Sequence, residues 1–247
     1  MLVRYLSILL FLLSVLNAFE PGFGKDYYKI RDIKVKKNAF VNTLLPKIEN
    51  AQKQIISDRI FVQKFFKKYL FTYSLKGRTD LVRLTNISKK YRIQEIYNED
   101  EYLQKIDLIP ISLVLAQSAV ESAWGESRFA REGNNLFGEW TWGKKGMIPE
   151  GRDEDAKHKL RIFDTLDDSI ARYMLNLNRH RSYSEFRHLR AEYRRKRIPF
   201  TGLIAATTMT NYSQMREKYN RLIAKVIKGN GFMGYEINQK KPFPFKR

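Results

Sequence analysis

The chain has 247 residues, and 46 Lys and Arg against 26 Asp and Glu give it a formal net charge of +20. A hydrophobic content of 43% with 13% aromatic residues is too apolar for a disordered chain and enough for a sizeable core in one or two domains. Cys is absent, which excludes disulfide scaffolds, thiolate nucleophiles and Cys-ligated zinc. With three His as well, no metal or other cofactor is expected, although a carboxylate-only magnesium or calcium site stays open.

Residues 1–18 (MLVRYLSILLFLLSVLNA) place Arg4 before a charge-free apolar run at 5–16 and end on Ala18. These are the parts of a secretory signal. The alternative, an uncleaved membrane anchor, calls for a run nearer ~20 residues. Either way the expected location is outside the inner membrane, in the periplasm or cell envelope. The charge then reads differently. Inside a cell it would suggest nucleic acid; outside, the nearest polyanions are cell-wall carboxylates and anionic lipids. Cell-wall or peripheral membrane contact is therefore expected, and no specific nucleic acid. The basic run 187–197 comes with no recognition motif. It either attracts wall carboxylates or is a solvated helix face.

Pro21, Gly22 and Gly24 mark 19–36 as a linker. From Lys37, Phe40, Leu44, Leu45, Ile48, Ala51, Ile55 and Ile56 recur at helical steps, with Pro46 marking a kink or a helix start. Residues 61–71 keep that spacing, and 81–93 and 95–104 read as further helices, so 37–105 form an N-terminal helical region. The pattern predicts a stronger helix over 107–129, with Pro110 in its first turn and Val114, Gln117, Val120, Glu121 and Trp124 on one face. Residues 134–163 change character: Gly138, Gly143, Gly146 and Gly151 among aromatic residues predict turns and a hairpin, with 159–163 as a strand. Thr165 and Asp168 resemble a helix cap ahead of the stripe Leu166, Ile170, Tyr173, Met174 and Leu177. Helices follow over 183–194 and 202–209. Ser213 caps a last one carrying Tyr219, Ile223 and Ile227 and stopped by Gly229, and 229–247 are a basic tail. The expected fold is mainly α (α+β), with a small β hairpin and a helical N-terminal layer.

The stretch 116–138, AQSAVESAWGESRFAREGNNLFG, carries the chemistry. Glu121 lies near the C-terminal end of a predicted helix, on an otherwise apolar face. Desolvation, the negative end of the helix dipole and a lack of nearby cations would all raise its pKa, as a general acid near neutral pH requires. The other reading is a Glu that closes a turn or pairs with Arg128 or Arg131.

Ala116, Glu121, Ser122, Trp124, Gly125 and Ser127, followed by Asn-Leu-Phe-Gly at 135–138, resemble the glucosaminidase family of peptidoglycan hydrolases (glycoside hydrolase family 73), which has a lysozyme-like fold. Asn134 to Trp142, Gly151, Arg152, His158, Asn176, Asn178, Tyr212, Ser213, Glu217 and Tyr219 are similar to its bacterial Bax-type branch. The resemblance implies a catalytic domain over 106–228 acting on peptidoglycan glycan strands. Glu121 would protonate the β-1,4 bond after N-acetylglucosamine. Tyr212 would face it across the cleft. Gln117, Trp124, Asn135, Phe137, Glu139, Trp140, Trp142, His158 and Ser213 would contact substrate. The family's second carboxylate lies on a hairpin corresponding to about 143–160, where Glu150 and Glu154 are the best matches, with Glu139, Asp153 and Asp155 also eligible. Retaining and inverting enzymes separate the two carboxyls by ~5 and ~6.5–9.5 Å, and a third route uses the substrate's own acetamido group. A muramidase or lytic transglycosylase, or a wall-binding protein without catalysis, are the alternatives.

Overall fold

The segment expected to be a linker is partly helical. In the computed structural model, which describes residues 22–69, 78–151, 157–210, 212 and 216–239, a turn at 22–24 leads into α1 (Lys25–Lys29). Tyr27 of α1 is buried and donates a hydrogen bond to the Trp124 carbonyl at 2.5 Å. With the Gly22 N–H donated to Asn134 Oδ1 at 2.6 Å and the Phe23 ring stacked on Phe40, it ties down a short segment that composition alone marks as loose. The expected signal at 1–18, Glu154, Ser213 and the tail 240–247 lie outside the described residues.

Helix α2 (Ile33–Tyr69) is 37 residues long and continues through Pro46. Its buried stripe is Phe40, Leu44, Ile48, Ala51, Ile55, Val62, Phe65 and Phe66, a helical spacing kept for seven turns. Pro46 is exposed, so its ring meets solvent and the burial on the opposite face offsets the ~3 kcal/mol of the lost backbone bond. Two shorter helices, α3 (Arg78–Tyr91) and α4 (Glu99–Lys105), complete this layer; the Asn98 side chain caps α4 by accepting from the Glu101 N–H at 3.1 Å.

The long helix predicted over 107–129 is two helices, α5 (Ile111–Glu121) and α6 (Arg128–Gly133), joined by a turn. Every residue of α5 from Ile111 to Ala119 is buried, and α5 packs against α2 and three C-terminal elements: α9 (Gly202–Ala206), α10 (Glu217–Gly229) and a 3-10 helix (Phe232–Gln239). Part of the expected basic tail is thus packed. Phe232 is buried, and the Glu236 carboxylate accepts from the Ser112 hydroxyl and, at 2.7 Å, from the Gly202 N–H. Between α6 and α7 (Leu166–Arg179) lies the hairpin, with β1 (Trp140–Thr141) antiparallel to β2 (Lys159–Leu160). Trp140 pairs with Leu160 and Thr141 with Lys159. The strand expected over 159–163 is only its first two residues; Arg161 and Phe163 still donate backbone bonds, to Glu139 and Gly133. The expected cap of α7 is a full capping box between Thr165 and Asp168. A 3-10 turn (Arg181–Tyr183) and α8 (Ser184–Arg195) follow, and α7 lies along α2.

The approach to α5 is fixed by polar side chains. Asp107 is 1% exposed; Arg194 binds both of its carboxylate oxygens and Arg59 lies 3.7 Å away. Arg190 donates to the carbonyls of Gln104, Asp107 and Leu108 and to Asn178 Oδ1, while Gln52 from α2 exchanges two bonds with Ile109. The run 187–197 is therefore not simply a solvated face: Arg187 and Arg190 are buried and satisfy carbonyls that α7 and the 104–108 loop leave open. Burial works against the charge on Asp107, but Arg59, Arg190 and Arg194 outweigh it and hold the carboxyl below the usual Asp range. Asp107→Asn leaves those arginines uncompensated and should cost about 3–5 kcal/mol, read as a lower denaturant midpoint. A folded pKa below the unfolded one stabilises above the ordinary Asp range and is lost on acidification, so the gap between the two proteins should close at low pH.

Candidate active site

Glu121 is the last residue of α5, and the five residues after it form a tight turn. Ala123, Trp124 and Gly125 all have positive φ, at 50°, 57° and 79°. For the two non-glycine residues this conformation is strained, at a cost on the order of 1–3 kcal/mol each, and it needs support from its surroundings. Ser122 supplies some: its hydroxyl donates to the Ser118 carbonyl at 2.6 Å and accepts from the Gly125 N–H at 2.8 Å. Trp124 supplies more. Its N–H reaches the Ala119 carbonyl at 2.8 Å, its carbonyl accepts from Tyr27, and its ring sits between Phe40 and Phe232 with Lys37 Nζ 4.6 Å from its centre. A Cβ at Gly125 would stand 2.5 Å from the Phe23 ring, so only glycine fits there. The Glu-Ser-x-Trp-Gly string thus ends a helix sharply and anchors the end to the N-terminal layer. The structure puts the Trp124 ring in that anchor.

The Glu121 carboxyl is only partly exposed. Tyr219, from α10, donates its hydroxyl to Glu121 Oε1 at 2.7 Å. The same hydroxyl accepts from Gln117 Nε2 at 2.9 Å, and Gln117 Oε1 accepts from the Tyr173 hydroxyl. Three donors in series therefore point toward one oxygen of Glu121, and each polarises the next. Burial raises the Glu121 pKa above the ordinary Glu value, and the Tyr219 hydrogen bond only partly opposes it. Burial also pushes the Tyr219 phenol far up, with the Glu121 charge adding to it, so Tyr219 remains a donor at any working pH.

Tyrosines surround this carboxyl. The Tyr212 ring stacks on Tyr219, with centroids 5.4 Å apart, and its hydroxyl donates to the Phe137 carbonyl at 3.4 Å. Tyr183 lies 6.2 Å from Tyr212, and Phe137 stacks on Tyr173 at 3.9 Å. Burial, then the charges of Glu139 and Glu121, push Tyr183 up to about 12, so both carboxylates lie near this one ring. Glu139, just before β1, is bound by Arg172 Nε at 2.8 Å and Asn176 Nδ2 at 2.6 Å. Asn135 holds the Asn-Leu-Phe-Gly loop closed: its side chain accepts from the Glu139 N–H and donates to the carbonyls of Glu139 and Arg161, all at 2.9 Å.

The hairpin carries the exposed aromatic residues. Trp140 is 52% and Trp142 72% exposed, with rings 6.3 Å apart, and His158 stacks on Trp140 at 4.3 Å. Glu150 is almost fully exposed in the hairpin loop, 3.9 Å from Arg128. The site therefore gathers Glu121, Gln117, Tyr212, Phe137 and Glu139. It leaves Trp124 in the adjoining layer and sets Glu150 out on the hairpin, while Glu154 and Ser213 lie outside the described residues. Among the described residues, no group of three His, Cys, Asp or Glu comes together to hold a metal ion. Asn176 and Tyr219 belong to the Bax-type resemblance without an implied role, and nothing in the sequence assigns a site role to Tyr173, Tyr183 or Arg172. A tyrosine on the apolar stripe of α7 or α10 was the available sign, because its hydroxyl needs a partner inside. Removing the donor to the charged form should raise the Glu121 pKa further, so in Tyr219→Phe a carbon-13 titration of the Glu121 carboxyl should move to higher pH than in the wild type.

Residues 98–232 match the glucosaminidase family, described as mannosyl-glycoprotein endo-beta-N-acetylglucosaminidase. The chain is 31% identical over 222 residues to "Protein bax" of Escherichia coli (strain K12), covering 87% of this chain and 77% of that protein. No solved structure matches. A helix end that presents one desolvated carboxyl, ringed by tyrosines and followed by an aromatic hairpin, fits a glycosidic-bond hydrolase, and with both matches spanning this site the chain belongs to the glucosaminidase family, with a mainly α, lysozyme-like fold.

Proposed function

We propose that this chain is an exported peptidoglycan hydrolase that cuts the β-1,4 bond after N-acetylglucosamine, with Glu121 as general acid. The observation that carries the reading is the partly buried Glu121 carboxyl, raised in pKa and bound on one oxygen by Tyr219. Because Oε1 faces a permanent donor, the acidic proton sits on Oε2. It passes to the bridging oxygen as the bond from C1 breaks, and the sugar takes on positive charge. The tyrosine surroundings limit the water around Glu121, and this burial raises its pKa in the direction a general acid needs. Tyr212 is assigned to the substrate's acetamido group or a water, and Trp140, Trp142 and His158 to stacking on sugar faces.

Among the second carboxylates, Glu139 is already bound by Arg172 and Asn176. Its oxygens are thus directed at those two side chains. Among the described residues Glu150 pairs with Arg128 alone, at 3.9 Å, and we assign it or Glu154 on the hairpin as the base or nucleophile. Division into a signal (1–18), an N-terminal helical region (37–105) and a catalytic domain (106–228) belongs to the same reading. Among the described residues no helix is long and apolar enough to cross a membrane.

Glu121→Gln should keep the wild-type circular dichroism spectrum and lose about 10²–10⁴ of its activity on purified sacculi. Clearing at the wild-type rate would remove Glu121 from the role. Mass spectrometry of the released muropeptides should show N-acetylglucosamine at the reducing end. A muramic acid end or an anhydro product would assign a muramidase or a lytic transglycosylase instead.

A further inference from the structure

Beside the tyrosine cluster, a cavity of about 610 Å³ opens between the end of α3, α4, the end of α7 and the start of α8. Five cations line it, Arg92, Lys105, Arg179, Arg181 and Arg187, together with His180, and no carboxylate does. Glu101, outside the lining, pairs with Lys105 at 2.7 Å and accepts from the backbone N–H groups of Gln94 and Glu95, so it meets the charge of that one lining cation and leaves the four arginines. Arg187 uses one nitrogen to hold the carbonyls of Leu177 and His180, so it is a fixed part of the wall. Arg179 Nε is buried with no hydrogen-bond partner, and Arg92 and Arg181 are exposed. The positive field is strong enough to act on a neighbour: burial and then Arg92, Arg181, Arg187 and Arg179 hold His180 below its ordinary pKa. Four arginines with no acid in the lining repel one another, and an anion entering the cavity would relieve that repulsion.

A chain of neighbouring aromatic rings links the cavity wall to the candidate active site. His180 lies 6.0 Å from Tyr183, Tyr183 lies 6.2 Å from Tyr212, and Tyr212 stacks on Tyr219, which binds Glu121. Arg179 also feels the charge of Glu139. A ligand that fills the cavity can therefore belong to the same polymer that lies across Glu121.

We propose that this arginine cavity is an anion subsite for the carboxylates of the peptides borne by the glycan strand, next to the sugars at Glu121. It rests on the proposed peptidoglycan reading and names which part of that substrate the cavity takes. Guanidinium groups bind carboxylate and phosphate alike through paired N–H donors. Proximity to the tyrosine cluster at Glu121 favours the carboxylates, which sit on the strand itself, over the phosphates of a separate polymer or lipid.

The test uses Arg92→Ala/Arg181→Ala, two exposed residues away from Glu121, in the full chain. Cleavage is measured on peptide-bearing glycan strands and on strands freed of peptide by an amidase. The expected result is a KM about tenfold higher on the peptide-bearing strands with kcat unchanged, and equal behaviour of both proteins on peptide-free strands. Equal KM on both substrates, or an equal loss on both, overturns the proposal. If neither protein cuts either substrate, the hydrolase reading fails separately, and cosedimentation with the same strands still decides the subsite: weaker binding of the variant to peptide-bearing strands alone supports it. Unchanged binding to these strands, with weaker binding to phosphatidylglycerol vesicles instead, assigns the cavity to phosphate and overturns it.

Discussion

Helix α5 is buried on every side, and the rest of the molecule depends on how its two ends are held. A buried helix cannot leave its terminal N–H and C=O groups to water, so other groups must satisfy them. At the leading end the chain is pinned by Gln52, Arg59, Arg190 and Arg194, which come from two different helices and close on Asp107 and its neighbours. At the trailing end the strained turn reaches back through Ser122 and Trp124. With both ends set, the position of Glu121 follows: it is the last helical residue before the strain begins.

The chemistry at Glu121 is a balance between two opposed effects on one carboxyl. Burial favours the neutral acid, while the Tyr219 hydroxyl favours the anion, and burial wins. Tyrosine suits both parts of this task. Its ring displaces water over a large area, and its hydroxyl gives a single donor that can be aimed at one oxygen. An arginine or lysine in the same place would have held the carboxyl ionised. The cations near the site are instead directed elsewhere, with Arg172 on Glu139 and Arg187 on backbone carbonyls.

Local patterns in the sequence mark the helices well. The 3-and-4 spacing from Phe40 to Ile55 is the buried stripe of α2, and Thr165 with Asp168 is a cap in fact. The same spacing overran at residues 122–127. Nothing in helical periodicity registers a turn held by positive φ, although Gly125 was present as a stop. Pro46 does not start the helix, because its cost is local and the burial that offsets it is spread over the whole helix. Within the site, Glu121, Gln117 and Tyr212 stood out from the motif. Tyr219 was named there without a role and Tyr173 only as a member of an apolar stripe, since their hydroxyl partners are 98 and 56 residues away. A long-range hydrogen bond leaves no periodic trace. The helix in the supposed linker was missed for a similar reason: a buried Tyr27, bonded across 97 residues, helps to hold it.

The net charge of +20 does two separate jobs, and sequence cannot divide them. Arg59, Arg187, Arg190 and Arg194 point inward, where their charge is met by Asp107 or by carbonyl oxygens. Burying them is costly: desolvation lowers Arg190 to about 9 and Arg187 to about 10. The fold accepts that cost because Arg59, Arg187 and Arg190 each close several open backbone acceptors at once, which a lysine could not do. Arg92 and Arg181 are the opposite case, since they are exposed and have no acid beside them in the cavity. Residues of the inward kind are part of the core and should tolerate no loss. Those of the outward kind can be removed with the fold intact, so the positive field beside the tyrosine cluster can be altered without moving Glu121.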